Sequence, residues 1–256
     1  MSNKKLLVTD YDNTFEMHYC TLNCKEILKK NIISINKFMM DNLVCIATGR
    51  HFDAIYKTLL DNGIVFNFLC ANNGAELYDN NYKLLYCLPL DEKDLKKLYM
   101  FNDKIKIFFR TPYKSSDITS VNIYEDNLKC YNEIKACLKK KLTCSQIEFK
   151  FPKIKIVNKK CNKLNTIRII EQKNHIDKNR IYTIGDDLND IEMIKYYNGF
   201  SLITASSEVK KYALGIYREL NELLEDINKS IINNEIDNSV RDDYIKTDEK
   251  AEDKKQ

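Results

Sequence analysis

Three short apolar runs in this chain each break, at their carboxyl end, into a polar loop bearing carboxylates or a hydroxyl. Lys5 to Thr9 opens into Asp10-Tyr11-Asp12-Asn13-Thr14, and Leu43 to Ala47 into Thr48-Gly49-Arg50. Arg180 to Ile184 opens into Gly185-Asp186-Asp187-Leu188-Asn189-Asp190. Runs this short, bounded by turn residues, read as buried strands. A fourth, Asn67 to Ala71, ends at Asn72-Asn73-Gly74. Between them lie helical spacings: Leu28, Ile32, Ile35 and Met39 within residues 25–40, and residues 52–61, which stop at Asn62-Gly63. Strands alternating with helices at this pitch imply βαβ units and a parallel sheet. Glycine is scarce, at six residues, and three of the six (Gly49, Gly74 and Gly185) fall in the strand-end loops. A scarce glycine marks a place where the backbone needs one.

The texture changes after the fourth run. Residues 76–78 and 83–86 flank Asp79-Asn80-Asn81 as a hairpin. Then come a helix over 91–101, strands over 104–110 and 118–124, and a helix over 127–141 with Leu128, Tyr131, Ile134 and Leu138 on one stripe. Ile147, Phe149 and Phe151 alternate, Ile154 and Ile156 sit in the opposite phase, and the slip at Pro152 marks either a bulge or a tight turn. The parallel pattern resumes with a helix over 162–172 and the strand over 180–184. A helix over 191–196, a short strand over 200–203 and helices near 208–214 and 218–231 follow. The fold class expected is α/β: a Rossmann-like parallel sheet with helices on both faces, plus an inserted α+β cap domain. The domains expected are a discontinuous core of residues 1–86 and 159–232, a cap of 87–158, and a charged tail of 233–256 without fixed structure.

Composition narrows the function classes. The 256 residues carry 41 Lys+Arg against 37 Asp+Glu, a net charge of +4 with the signs interspersed, so no nucleic-acid surface is indicated. The sixteen tyrosines follow strand and helix stripes, which favours packing over base stacking. No window approaches the roughly 20 apolar residues of a membrane span, and the first residues are too polar for a signal peptide. Nine cysteines, an odd count at irregular spacing, argue for free thiols in a reducing, cytoplasmic setting.

In open parallel sheets ligands bind outside the carboxyl ends of the strands. Those ends supply Asp10 and Asp12, then Thr48 and Gly49, then Asp186, Asp187 and Asp190, while a lysine-rich stretch, residues 159–163, lies one helix before the last of them. Carboxylates so gathered repel unless a cation neutralises them. A hard divalent ion is the economical answer, and Mg²⁺ typically takes one or two carboxylates with substrate phosphate and water.

These residues resemble the haloacid dehalogenase-like phosphatase superfamily, over roughly residues 4–230. Asp10-Tyr11-Asp12-Asn13-Thr14 matches its first motif, Thr48 its second, Lys163 its third and Gly185 to Asp190 its fourth. The insertion between the second and third, with Asn73-Gly74-Ala75, is similar to the cap of the Cof-type (class IIB) branch. Asn13 stands where the commoner motif has glycine. The resemblance implies a Mg²⁺-dependent phosphatase acting on a small phosphorylated metabolite, such as a sugar phosphate, through an aspartyl-phosphate. Its alternatives are a phosphotransferase or mutase, or a non-catalytic phosphate-binding module. It implies Asp10 as nucleophile and Asp12 as acid and base. Thr48, the amide of Gly49, and Lys163 would hold the phosphoryl group. Asp10, the main-chain carbonyl of Asp12, and Asp186 would hold the metal, and Asn189 and Asp190 would orient lysine and metal. Asn189 is also a candidate for contact with substrate, and Arg50 either contacts the phosphate or leaving group or pairs with a surface carboxylate.

Other polar residues read more plainly. Asp187 is expected to be a loop or capping residue, Asn72 and Asn73 to shape a turn, and His18, His51 and His175 to be structural or at the surface. Cys20 and Cys24 lack the second pair a zinc site needs. In the cap, Arg110, Lys114 and Lys153 lie near strand ends or turns; any could read a substrate, and each singly reads as solvated surface.

Overall fold

The computed structural model describes residues 3–18, 23–101 and 105–229. The tail expected at 233–256 and the Lys104 end of one expected strand lie outside the described residues. In chain order come β1 (Leu6–Asp10), α1 (Cys24–Met39), β2 (Leu43–Ala47), α2 (Phe52–Asp61), β3 (Phe68–Ala71), β4 (Glu76–Asp79) and β5 (Leu84–Cys87). The insertion holds α3 (Glu92–Tyr99), β6 (Lys106–Arg110), β7 (Ser120–Tyr124), α4 (Leu128–Lys141), β8 (Ser145–Lys150) and β9 (Lys153–Asn158). The chain then returns through α5 (Lys163–Asn174), β10 (Ile181–Gly185), α6 (Ile191–Tyr196), β11 (Asn198–Leu202), α7 (Ser207–Lys210), β12 (Gly215–Tyr217) and α8 (Leu220–Asn228).

Eight strands form one sheet in the order β12-β11-β10-β1-β2-β3-β4-β5. β12 to β3 run parallel, and β4 and β5 complete the sheet as an antiparallel margin. The contiguous apolar residues of β1 divide between two layers because successive side chains leave opposite faces. Leu7 joins Ile35, Phe38, Ile55 and Leu223 on the α1, α2 and α8 side. Leu6 and Val8 join Ile167, Ile170, Met193 and Val209 on the α5, α6 and α7 side. Each such side chain, taken fully out of water, contributes about 1.5–3 kcal/mol.

The insertion forms a second, antiparallel sheet in the order β6-β7-β9-β8. One face packs Val121, Ile123, Ile154 and Ile156 against Leu98 of α3 and Tyr131 and Leu138 of α4. The phase slip at Pro152 is a tight turn rather than a bulge, since Lys150 pairs with Lys153 across it. Proline fits there because a turn asks for no ladder N–H. The two crossings between the sheets bond to one another, Asn158 Nδ2 donating to the Pro89 carbonyl at 2.7 Å.

The sequence reading passes over β12. Three residues are too few to show alternation, and the expected helices on either side shrink to α7 and α8 around it. β11 begins two residues earlier than expected, at Asn198 and Gly199. There Asn198 satisfies its buried amide on the Asn179 and Ile181 carbonyls. Seven described cysteines carry free thiols, but Cys24 is disulfide-bonded, so the expectation of free thiols throughout fails at that position. Among the described residues no helix is long and apolar enough to cross a membrane.

One close approach fixes the site. After β3 the backbone turns through Asn72 and Asn73, both with positive φ, to Gly74 at φ +91. A Cβ on Gly74 would overlap the carbonyl of Asn162, the residue that caps α5 by accepting from Asn165 N. Thr166 Oγ1 donates to the Gly74 carbonyl at 2.8 Å, so the first turn of α5 rests on this glycine. Gly74→Ala should therefore lower stability by about 2–4 kcal/mol, read as a shifted urea midpoint with an unchanged slope.

Candidate active site

Strand register brings the polar loops together. Asp10 is opposite Ala47, Thr9 is opposite Ile184, and Thr48 N donates to the Cys70 carbonyl at 2.8 Å. Asp10, Thr48 and Asp186 thus leave neighbouring parallel strands at the same carboxyl edge, where such sheets bind ligands.

Lys163, in the first turn of α5, points into this edge and is 1% exposed. Its Nζ donates to Asp10 Oδ1 at 2.5 Å and to Asp190 Oδ1 at 2.6 Å. Asp190 can come so near because Gly185 has no side chain; a Cβ there would lie 2.6 Å from the Cβ of Asp190. Asp10, Asp186 and Asp190 place carboxylate oxygens within 4.8 Å of one another. Burial pushes Asp10 well above the usual carboxylate range; Asp190 and Asp186 add to this, and Lys163 opposes it. Burial pushes Asp186 up to about 6, with help from Asp190 and Asp187 against the hydrogen bond from Thr14. That bond runs from Thr14 Oγ1 to Asp186 Oδ1 at 3.1 Å. Burial works against charge on Lys163, but Asp10 and Asp190 outweigh it and hold the ammonium above its usual range.

Three carboxylates against one ammonium leave two negative charges when all are ionised. An all-oxygen set with that surplus suits a hard divalent cation, and the chain's own residues therefore fit one. Asp190 spends both oxygens, Oδ1 on Lys163 Nζ and Oδ2 on Asp187 N, whereas Asp10 meets Lys163 through Oδ1, which leaves Asp10 and Asp186 as the carboxylates open to it.

Asp12 is engaged elsewhere. Arg50 forks onto it, Nε donating to Oδ2 at 3.0 Å and Nη2 to Oδ1, while His18 Nε2 lies 3.0 Å from Oδ1. Of the two readings of Arg50, the structure shows pairing with a carboxylate, its guanidinium also lying over the Tyr11 ring. Asn13 follows at φ +60. Asparagine tolerates that left-handed region better than most residues, which explains how it stands where glycine is commoner. Asn189 Nδ2 donates to Asn73 Oδ1 at 3.0 Å, not to lysine. Asp187 does cap, accepting from Leu188 N in a capping box closed by Asp190.

The turn after β2 is held from both sheets. Arg50 N donates to Thr48 Oγ1 at 3.0 Å, and a Cβ on Gly49 would meet Asn73 Oδ1 at 2.9 Å. From β9, Lys155 Nζ donates to the Gly49 carbonyl at 2.5 Å. Burial pushes the Lys155 ammonium down to about 8; Lys153 adds to this, and Glu148, Cys161 and Glu76 oppose it. Nearby, Glu76 is fully buried and accepts from Thr119 Oγ1 at 2.6 Å, Tyr78 Oη at 2.8 Å and Asn72 Nδ2 at 3.2 Å. His51 Nε2 donates to the Thr111 carbonyl at 3.0 Å. These bonds tie the β6–β7 loop to the core beside Arg50.

Two residues here escape the sequence reading, Glu76 and Lys155, and His18, read as structural or at the surface, is at the surface beside Asp12. His18 follows the first motif in a loop that carries no periodic signal. Glu76 opens a strand otherwise read as apolar. Lys155 had a usable signal, since Lys153 and Lys155 interleave with Ile154 and Ile156, and a lysine between buried positions of a central strand faces something. Of the cap residues singled out instead, Arg110 and Lys114 lie over the rings of Phe108 and Tyr113, and Lys153 sits at the tight turn.

A family model for haloacid dehalogenase-like hydrolases matches residues 7–114 and 101–223. A Mycoplasma capricolum protein of uncharacterised function is 24% identical over 233 residues, spanning 75% of this chain and 88% of its own length. Among solved structures, the Thermotoga maritima protein TM0651 superposes with a TM-score of 0.72 at 14% identity, over 87% of this chain and 97% of that one. The subclass IIB sugar phosphatase BT4131 does so with a TM-score of 0.66 at 16% identity, over 88% and 99%. With the family model running from β1 to α8, the chain belongs to the haloacid dehalogenase-like hydrolases.

Proposed function

We propose that this hydrolase is a Mg²⁺-dependent phosphatase that cleaves a small phosphate monoester through an aspartyl-phosphate on Asp10. The observation that carries the reading is the Lys163 ammonium held between Asp10 and Asp190, with Asp186 beside them and Thr48 on the adjacent strand end. The fold is also that of BT4131, a sugar phosphatase.

Phosphoryl transfer asks mainly for positioning and for charge stabilisation on the transferring group. Asp10 is positioned as the nucleophile by Lys163, whose fixed contact with Asp190 keeps the ammonium from following the leaving charge. The Asp10 carboxylate attacks phosphorus, and the alcohol departs with its bonding electrons. Asp12, two residues along the extended chain, gives that oxygen a proton and then takes one from the water that opens the acyl-phosphate. Arg50 and His18 engage Asp12, so its acid step requires release from Arg50 and a proton taken up from water. The Thr48 hydroxyl, already accepting from Arg50 N, keeps its own proton free to donate to a phosphoryl oxygen. Asp10, Asp186 and the main-chain carbonyl of Asp12 would hold Mg²⁺, which supplies charge neutralisation at the phosphoryl oxygens when bound.

Asp10→Asn should cut phosphate release from an aryl phosphate by about a thousandfold or more while leaving the far-ultraviolet circular dichroism unchanged. EDTA should abolish wild-type turnover and Mg²⁺ restore it. A metal-loaded, folded protein silent on a broad phosphate-ester panel contradicts the reading. Lys163→Met leaves two buried carboxylates without their cation, so in metal-free buffer it should lose about 3–5 kcal/mol of stability, and Mg²⁺ should recover part of that. Because burial pushes Asp186 up to about 6 and raises Asp10 as well, cation and proton compete for these carboxylates as pH falls through that value. The Mg²⁺ dissociation constant should then rise about tenfold per unit of pH as pH falls through this range, measured by titration calorimetry; a flat profile contradicts it.

A further inference from the structure

The two faces of the inserted sheet differ in chemistry. Val121, Ile123, Ile154 and Ile156 pack against α3 and α4, so the alternate residues of β7 and β9 turn toward the carboxyl edge of the large sheet. On that inner face Asn122 and Lys155 are cross-strand partners. Asn122 is 6% exposed and Lys155 7%. The Asn122 Oδ1 has no hydrogen-bond partner, and neither does the Oγ of fully buried Ser120 on the same face.

An ammonium carries three N–H donors, and the Gly49 carbonyl takes one. Among the described residues no carboxylate lies within ion-pair range of Lys155. Glu148, its cross-strand neighbour on β8, is exposed and does not reach it. A buried charge whose hydrogen bond goes to a neutral carbonyl, and which Glu148 and Glu76 favour only from beyond ion-pair range, is under-compensated, and a buried amide oxygen without a donor costs free energy. Both deficits lie on neighbouring residues of one sheet face, and Lys155 bonds the carbonyl of Gly49 in the turn assigned to the phosphoryl group. An anion beside a hydroxyl would meet both needs: the anion on Lys155, the hydroxyl donating to Asn122. Through the Gly49 carbonyl this pairing adjoins the turn assigned to the phosphoryl group, on the side from which the inserted sheet meets the core.

We propose that Lys155 and Asn122 form the subsite for the leaving alcohol, and that this alcohol carries hydroxyls and a second anionic group, either a carboxylate or a further phosphate. The proposal rests on the phosphatase reading and specifies its substrate class. Lys155 is a specificity residue in this account, and through the Gly49 carbonyl it also sets the turn that holds Thr48.

The test compares matched esters with the full-length, Mg²⁺-loaded protein. One arm sets a phosphorylated aldonic acid against the corresponding phosphorylated aldose, and the other a ketose bisphosphate against its monophosphate. An aryl phosphate serves as the probe of chemistry alone. The wild type should favour the doubly anionic member of at least one pair by about tenfold or more in kcat/KM, and the favoured arm tells carboxylate from phosphate. Lys155→Met, of similar length and apolar, should bring that ratio close to one chiefly through KM. Asn122→Ala should raise KM for the hydroxyl-bearing esters relative to the aryl phosphate. Each enzyme is its own reference, so a general loss of activity does not imitate the effect. Aryl phosphate turnover with wild-type ratios near one overturns the proposal and leaves the phosphatase reading standing, as does a ratio that Lys155→Met does not change. No turnover of any ester, the aryl phosphate included, sinks both.

Discussion

The ammonium of Lys163 organises the site. It is buried between the carboxylates of Asp10 and Asp190, and those three residues come from β1, from the loop after β10 and from the start of α5. Removing such an ion from water is costly, and only close, well-aligned partners compensate it. The fold meets that demand with absences. Gly185 lets Asp190 approach, and Gly74 lets the first turn of α5 settle on the turn after β3. The backbone around the site is therefore specified by a charge it must accommodate. The same geometry leaves a surplus of negative charge beside Asp186 that suits a divalent cation.

Around this centre the molecule works as two sheets with a shared seam. The large sheet contributes groups that its register fixes, since strand ends in a parallel sheet cannot shift singly. The inserted sheet reaches in through Lys155, and the Glu76 and His51 hydrogen bonds hold its β6–β7 loop against the core. Thr48 and Gly49 thus feel both sheets. A turn restrained from both sides is rigid, and rigidity is what positioning a transferring phosphoryl group calls for.

Most of the large sheet was legible because its signals are local. Unbroken apolar runs such as Leu43 to Ala47 ending in Thr-Gly-Arg announce a buried parallel strand, and α1 and α2 carry clear periodicity. Asp10, Thr48, Lys163 and Asp186 stood out as candidates because each lies at a strand end or opens a helix, and the structure gathers them at one sheet edge. Pairings across distance were not legible. That Arg50 closes on Asp12, that Asn189 goes to Asn73 and that Lys155 reaches Gly49 are facts of packing between segments as far as 116 residues apart. The three-residue β12 was lost for another reason: an edge strand takes its identity from its neighbour β11, and its own residues carry no pattern. The slip at Pro152 announced an interruption without saying which kind, and the pairing of Lys150 with Lys153 decides for a turn.

The brevity of β12 bears on how copies of this chain meet one another. The two margins of the large sheet are β12, with three residues, and β5, with four. An exposed edge recruits foreign strands in proportion to the row of unpaired amides and carbonyls it offers. Margins this short present few such groups, so the widest sheet in the molecule has little purchase for strand addition, and crowding alone gives it no template along which to polymerise.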